Sequence, residues 1–169
     1  MKTTLKILIV FVAMVGYSVV SYAQSTASAT IVTPISIAVV DNMNFGNVNA
    51  SGVAGSVALS TAGVRTPSGG VTLPATTGSV SAASFTVSGQ ANYTYAITLP
   101  TTLTITHSGG AGTGTMTVNT FVSDPATTGT LDGTGKQTLN VGATLGVGMN
   151  QAAGTYTSGS TFNVTVAYN

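Results

Sequence analysis

The sequence predicts an all-β protein, a single-domain antiparallel β-sandwich, and three observations support this prediction. Apolar and polar residues alternate over short stretches, and no stretch beyond residue 23 keeps helical spacing for long. These stretches are rich in Val, Ile and Thr, and turn-forming Gly, Asn, Ser and Pro separate them. About nine to eleven such stretches occur, with turns roughly every 8 to 12 residues, which is typical of a sandwich or a closed antiparallel sheet.

The first residues predict a secretory signal peptide that does not belong to the fold. Two lysines give a positive start, residues 7–15 are almost all aliphatic, and small residues precede a cleavage site after Ala23. The apolar run is shorter than the stretch of about 20 residues that a membrane helix needs. We therefore expect residues 1–23 to be removed and no integral membrane segment to remain. The expected location is the periplasm, the cell surface or the extracellular space.

The segment that follows the expected signal alternates like an edge strand. In residues 27–39 nearly every second residue is apolar, and a proline interrupts the pattern. Because proline cannot donate to a ladder, Pro34 separates an extension, residues 24–34, from a sandwich domain expected over residues 35–169. The extension is a candidate donor strand, and its residues on one side are Ala27, Ala29, Ile31 and Thr33.

The middle of the chain contains the predicted core strands. Each strand places apolar side chains at alternate positions, as Phe85 with Val87 and Tyr95 with Ile97 illustrate. Turn sequences such as "TPSGG", "SDPATTG" and "LDGTG" separate the strands. The expected strands cover residues 56–60, 84–89, 92–99, 102–106, 115–121, 137–141 and 144–147.

The last predicted strand covers residues 161–168 and is the most regular one. In "TFNVTVAYN" apolar side chains occupy every second position, and Asn163 and Thr165 stand between them. A half-buried strand turns one face to the core and the other to solvent, so these two polar residues are expected outside. The residues expected inside, which form a candidate C-terminal assembly strand, are Phe162, Val164, Val166 and Tyr168.

Charge and cysteine content exclude several functional classes. Without the expected signal, the chain keeps Arg65 and Lys136 against three aspartates, so it has no basic patch for nucleic acid. Abundant Val, Ile and aromatic residues argue against disorder despite the low charge. No cysteine occurs, which excludes disulfides, thiol nucleophiles and cysteine-based zinc sites.

No catalytic motif is present, and we predict a protein that is not an enzyme and uses no cofactor or metal. His107 follows a strand and precedes a glycine loop, which indicates a solvated residue at a strand end. Asp124 and Asp132 lie in Asp-Pro and Asp-Gly pairs that favour turns, whereas calcium needs about six to eight oxygen ligands. The run "GGAGTG" precedes a predicted strand, not the helix that a dinucleotide loop requires.

Four blocks of the sequence resemble the bacterial domain of unknown function 4402, found in small exported proteins of Gram-negative bacteria. They cover essentially the whole chain after the expected signal and read "ATIVTPISIAVVDNMNFGNV", "SFTVSGQANYTYAITLP", "LNVGATLGVG" and "AGTYTSGSTFNVTVAYN". More loosely, the layout is similar to spore-coat-U-like and chaperone–usher pilin subunits. That resemblance implies an immunoglobulin-like sandwich lacking one strand, an N-terminal donor segment, and a C-terminal strand whose penultimate tyrosine matches Tyr168. The chain departs from pilins at Tyr156, where a glycine is common, and in having no disulfide.

The sequence as a whole predicts an exported structural or adhesive surface protein, a fimbrial subunit that assembles by β-strand addition. Its expected partners are further copies of itself or a periplasmic chaperone, which would bind through edge strands. The alternative is a self-complete secreted sandwich, an adhesin or matrix-binding module whose N-terminal strand folds back onto its own domain. A lesser alternative is recognition of ice or carbohydrate by the row of Thr102, Thr104 and Thr106, residues that also suit the solvent face of a strand.

Overall fold

The computed structural model describes residues 21–109 and 114–169. The chain divides into two compact units, residues 1–31 and residues 32–169. The described part of the first unit contains no strand or helix, and its residues are exposed. Residues 1–20 of the predicted signal peptide lie outside the described residues.

The described part of the second unit contains eleven β-strands and no helix. Every paired strand runs antiparallel to its neighbour, so the prediction of an all-β antiparallel sandwich in a single domain is confirmed. In chain order the strands are β1 (Ser36–Asp41), β2 (Gly55–Leu59), β3 (Arg65–Gly69), β4 (Ala83–Ser88), β5 (Thr94–Thr98), β6 (Thr102–His107), β7 (Thr115–Asp124), β8 (Thr128–Thr130), β9 (Lys136–Val147), β10 (Tyr156–Thr157) and β11 (Thr165–Tyr168).

β9 is the central strand of an eight-stranded sheet with the main order β1-β4-β9-β7-β6-β10. The first half of β9 pairs with β4 and its second half with β2, which in turn pairs with β3. The sequence pattern predicted two strands here, at residues 137–141 and 144–147. The structure has one continuous strand, since Gly142 pairs with Val122 of β7 and the ladder passes through the glycine.

A smaller sheet, in the order β11-β5-β8, packs against the part of the large sheet formed by β4 and the first half of β9. Tyr95 of β5 is fully buried in this core, and its hydroxyl donates to Oε1 of Gln137 over 2.8 Å. Removal from water raises the pKa of Tyr95 above its ordinary value. The buried residues of this first core are Ala83, Phe85, Val87, Tyr95, Leu131, Leu139, Val141 and Val164.

A second core lies on β2, β7 and the second half of β9. Its buried residues are Val57, Val71, Val118, Ala143, Leu145 and Val147. Residues 42–50 and 71–81 cover part of it, and two isolated bridges join these loops. Nη1 of Arg65 donates to the carbonyl oxygens of Phe45 and Asn47, each over 2.7 Å. A guanidinium on an edge strand therefore holds the covering loop in place.

Candidate strand-assembly site

The C-terminal strand presents its apolar side chains to the first core. Val164 is buried, and Phe162, Val166 and Tyr168 pack against the same cluster from partly buried positions. The ring of Phe162 lies 6.3 Å from that of Phe85, in an edge-to-face arrangement. Residues 161–164 keep this alternation but do not pair with another strand. β11 therefore begins at Thr165, four positions later than the pattern predicted.

β11 is an edge strand within the described residues. It pairs with β5 from Thr165 opposite Thr98 to Tyr168 opposite Tyr95. No other strand of residues 32–109 or 114–169 pairs with it. β1 contacts β11 without pairing with it, so the N–H and C=O groups that point away from β5 form an edge free of ladder hydrogen bonds, which is a template for a further strand.

A large groove is lined by the end of β1 and by residues 161–162. Its volume is about 1270 Å³, and Asp41 at the end of β1 and Phe162 before β11 line it together. Its floor is apolar and comes from four strands of the large sheet: Phe85, Leu103, Ile105, Met116, Val118 and Leu145. The small sheet thus leaves part of the large sheet open, and this open part lies next to the start of β11.

The segment of residues 151–158 forms one wall of the groove, and His107 anchors it. Nε2 of His107 lies 3.1 Å from the carbonyl oxygen of Ala153, and Nδ1 accepts from the N–H of Gly109 over 3.2 Å. With Nδ1 accepting, Nε2 is the ring nitrogen that donates to the Ala153 carbonyl oxygen. The ring also packs edge-to-face against Tyr156 at 5.1 Å. His107 is therefore the last residue of β6, as the sequence predicted, but it is half-buried and anchors the wall, where the sequence predicted a solvated residue.

Tyr168 closes the opposite end of the site. Its hydroxyl donates to the carbonyl oxygen of Thr33 over 2.7 Å and accepts from the N–H of Gln90 over 2.5 Å. The N–H of Thr33 in turn donates to Oε1 of Gln90 over 3.2 Å. We call Thr33, Gln90 and Tyr168 the Thr33 clamp. A side chain at Gly89 would overlap the Tyr168 hydroxyl, so the clamp needs a glycine there.

The four candidate donor residues differ in their surroundings. Ala27, Ala29 and Ile31 lie in no strand, and Ile31 is 97% exposed. Thr33 is the donor residue that contacts the candidate C-terminal strand, through Tyr168. The sequence did not predict the role of Gln90, because its contact with Tyr168 joins residues 78 positions apart. The glycine of the "SGQAN" turn was the one sign of close packing there.

Residues of the types that carry charge or ligate metals have structural roles in the described part of the chain, and Asp132 is an example. Oδ1 of Asp132 accepts from the backbone N–H of Lys136 and from the hydroxyl and N–H of Thr134. These hydrogen bonds, first the one from Lys136, lower the pKa of Asp132 and close the turn between β8 and β9. Among residues 21–109 and 114–169, no three His, Cys, Asp or Glu side chains are grouped so as to hold a metal ion. The described part of the chain has no helix that is long and apolar enough to cross a membrane.

Comparison with known proteins gives one match. The family model described as "Domain of unknown function (DUF4402)" matches residues 35–168. No curated protein and no solved structure matches the chain.

Proposed function

We propose that this chain, which belongs to the DUF4402 family described only as a domain of unknown function, is an exported structural or adhesive surface protein. In this proposal it is a fibre subunit that assembles by β-strand addition. The donor is the segment of residues 27–33, and the acceptor is the free edge of β11. The similarity in layout to spore-coat-U-like and pilin subunits supports the same assembly mode.

The observation that carries the proposal is the free edge of β11 beside an open groove with an apolar floor. Strand addition needs unpaired backbone groups for the ladder and pockets for alternate side chains. β11 has unpaired backbone groups, and the groove near Phe162 has the apolar lining that such pockets need. Residues 27–31 have the matching alternation, with Ala27, Ala29 and Ile31 on one side.

A rough free-energy comparison explains why the donor segment needs a preformed partner. Burying the apolar side chains of residues 27–33 contributes on the order of 3 to 7 kcal/mol. Ordering seven backbone residues costs about 7 to 14 kcal/mol. Ladder hydrogen bonds, at about 0.5 to 1.5 kcal/mol each, must supply the difference. An isolated segment therefore stays unpaired, and one laid on an existing edge is stabilised.

Deletion of residues 24–32 tests the proposal, because it removes all of the donor segment except Thr33, which stays in its clamp. Size-exclusion chromatography and electron microscopy compare the deleted protein with the full chain at high concentration. We expect assembled species from the full chain and monomers from the deleted one. A peptide of residues 27–33 should bind the deleted protein and raise its thermal stability.

Two point variants provide a matched pair for the same test. Ile31→Asp places a charge on the face that enters the acceptor and should abolish assembly, because an unpaired buried charge is strongly unfavourable. Ser28→Asp adds the same charge to the outward face and should leave assembly intact. If the full chain remains a folded monomer, or if the deletion assembles equally well, the fibre proposal is wrong. The self-complete adhesin or matrix-binding module then becomes the better description.

A further inference from the structure

The groove beside the start of β11 continues over a floor that the domain covers only in part. Beyond Phe162 this floor belongs to the second core, on β6, β7 and the second half of β9. Leu103, Ile105 and Met116 pack against that core and line the groove, yet each is only partly buried. Apolar side chains that stay partly exposed in a large concave groove are typical of a ligand-binding site.

The backbone of one wall is already bonded within the domain. In residues 42–50, Asn44 exchanges two backbone hydrogen bonds with Ser81, at 2.8 and 3.0 Å. Asn49 exchanges two with Thr72, at 2.9 and 3.1 Å. Because these N–H and C=O groups are paired with the neighbouring loop, they do not form a ladder with a molecule in the groove.

The opposite wall, residues 151–158, uses its carbonyl oxygens in the same way. That of Ala152 accepts from the Tyr156 hydroxyl over 2.8 Å. That of Thr155 accepts from the N–H and the hydroxyl of Ser108, over 2.8 and 2.9 Å. A peptide laid on this floor would bury its own N–H and C=O groups with few partners, which is unfavourable. The groove therefore suits a molecule that is held by side-chain contacts.

The few charges around the groove favour a neutral ligand. Asp41 lies at the exposed end of β1, and no Lys, Arg or His side chain is among the described residues that line the groove. An anionic group would therefore meet a carboxylate without a cation to balance it. Asn42, Thr157 and Ser158 are exposed lining residues whose amide and hydroxyl groups can hydrogen-bond to uncharged hydroxyls. We call these three residues the polar rim.

We propose that the groove binds a neutral monoacyl lipid, with its acyl chain on the apolar floor and its hydroxylated head group at the polar rim. An acyl chain has no hydrogen-bonding groups to satisfy, and uncharged hydroxyls match the side chains of the rim. This site goes beyond the proposed function and does not rest on it, because the floor lies on β6, β7 and β9, whereas the assembly edge is β11.

Calorimetric titration of the full chain with octanoyl, decanoyl and dodecanoyl glycerol tests the proposal, with each lipid kept below the concentration at which it aggregates. Each CH2 group that is moved onto the floor should strengthen binding about fourfold, so the affinity should rise steeply along the series. An affinity that does not depend on chain length would overturn the proposal. So would co-sedimentation with phosphatidylcholine vesicles in the absence of binding to dissolved lipid, because that result would indicate a membrane surface.

The preference for a neutral head group is tested with dodecanoate, which has the same acyl chain and an anionic head. Dodecanoate should bind more weakly than dodecanoyl glycerol, and Asp41→Asn should reduce the difference between the two affinities. Equal affinities of the two ligands for the wild-type protein would contradict the assignment of a neutral ligand.

Neighbouring residues of β6 provide a matched pair of variants. Ile105→Asn places an amide on the apolar floor and should weaken the binding of dodecanoyl glycerol at least about tenfold. Thr104→Asn introduces the same residue on the opposite, exposed face and should leave binding unchanged. Thermal unfolding checks that each variant is folded, and Leu103→Asn with Thr102→Asn repeats the comparison if Ile105→Asn is not. Unchanged binding by a folded floor variant would overturn the proposal.

A chain that lacks residues 24–32 separates this proposal from strand assembly. It should bind dodecanoyl glycerol as tightly as the full chain does, and a peptide of residues 27–33 should not displace the lipid. Displacement by the peptide would mean that the donor segment occupies the floor, which overturns the lipid site and keeps strand addition. Lipid binding by a full chain that stays monomeric would keep the lipid site and overturn strand addition.

Discussion

Single residues that look unremarkable in the sequence hold several turns of this domain together. Asp132 is fully exposed, yet its carboxylate gathers three hydrogen bonds at 2.7 to 3.0 Å from Thr134 and Lys136. The Asp-Gly pair predicted a turn, and the structure confirms one. The pattern did not predict that one carboxylate oxygen would organise it, because that depends on the positions of three donors around the turn.

The Asp132 turn predicts a specific dependence of stability on pH. Its pKa is lowered in the folded protein, so the carboxylate's contribution to stability is present above the unfolded-state pKa of about 3.9 and is lost as the pH falls through the folded value. Asp132→Asn should therefore destabilise the domain at pH 7, and this difference should shrink toward pH 2. Urea unfolding at each pH measures it.

Gly133→Ala provides the control for that experiment. It alters the same turn without removing the acceptor, and a side chain at Gly133 would contact nothing within 4 Å. Its effect on the free energy of unfolding should be small and independent of pH. A difference between wild-type and Asp132→Asn that persists at the lowest pH would contradict the assigned role.

The strands could be predicted where their apolar alternation is a local property of the sequence. The prediction failed where contacts with other strands override that alternation. β1 shows the limit: Ile37 packs on the first core, whereas Val39, two residues later on the expected same face, is 62% exposed. Val39 still pairs with Phe85 in register, but it lines the open groove, so no side chain of the small sheet covers it. No residue pattern in the strand itself signals where that cover ends.

The close approach of the end of β2 to Gly142 leads to a prediction about β9. A side chain there would overlap the carbonyl oxygen of Leu59 and the backbone of Ser60. Gly142→Ala should therefore cost about 1 to 3 kcal/mol in unfolding free energy, the usual range for overpacking, and loosen β2 first. Chemical denaturation and hydrogen exchange of the β2 amides measure the two effects.

Gly146 provides the matched control in the same strand. The nearest atom to a side chain at Gly146 is the Thr117 carbonyl oxygen at 3.5 Å, an ordinary contact. Gly146→Ala should be tolerated far better than Gly142→Ala. Equal losses for the two variants would mean that glycine is required along β9 for flexibility, and that the close approach of β2 is not the cause.

The molecule as a whole is almost without charge where assembly is proposed. Residues 24–33 have no charged side chain, and Asp41 is the charged residue among those that line the groove. Association driven by apolar burial and ladder hydrogen bonds is screened little by salt. We therefore expect the assembled fraction to change less than about twofold between roughly 0.05 and 0.5 M NaCl, as measured by analytical ultracentrifugation. A steep loss with salt would indicate an electrostatic interface elsewhere on the surface.

The local sequence pattern was sufficient to predict the fold class of this protein, because the two-residue period of a strand is a property of neighbouring side chains. It predicted the all-β sandwich, most of the core strands, and the inward alternation of the C-terminal stretch. Only the tertiary structure decided which edge stays free and where Thr33 is held. Those features depend on contacts between residues 57 to 135 positions apart, and such contacts leave no periodic trace in the sequence.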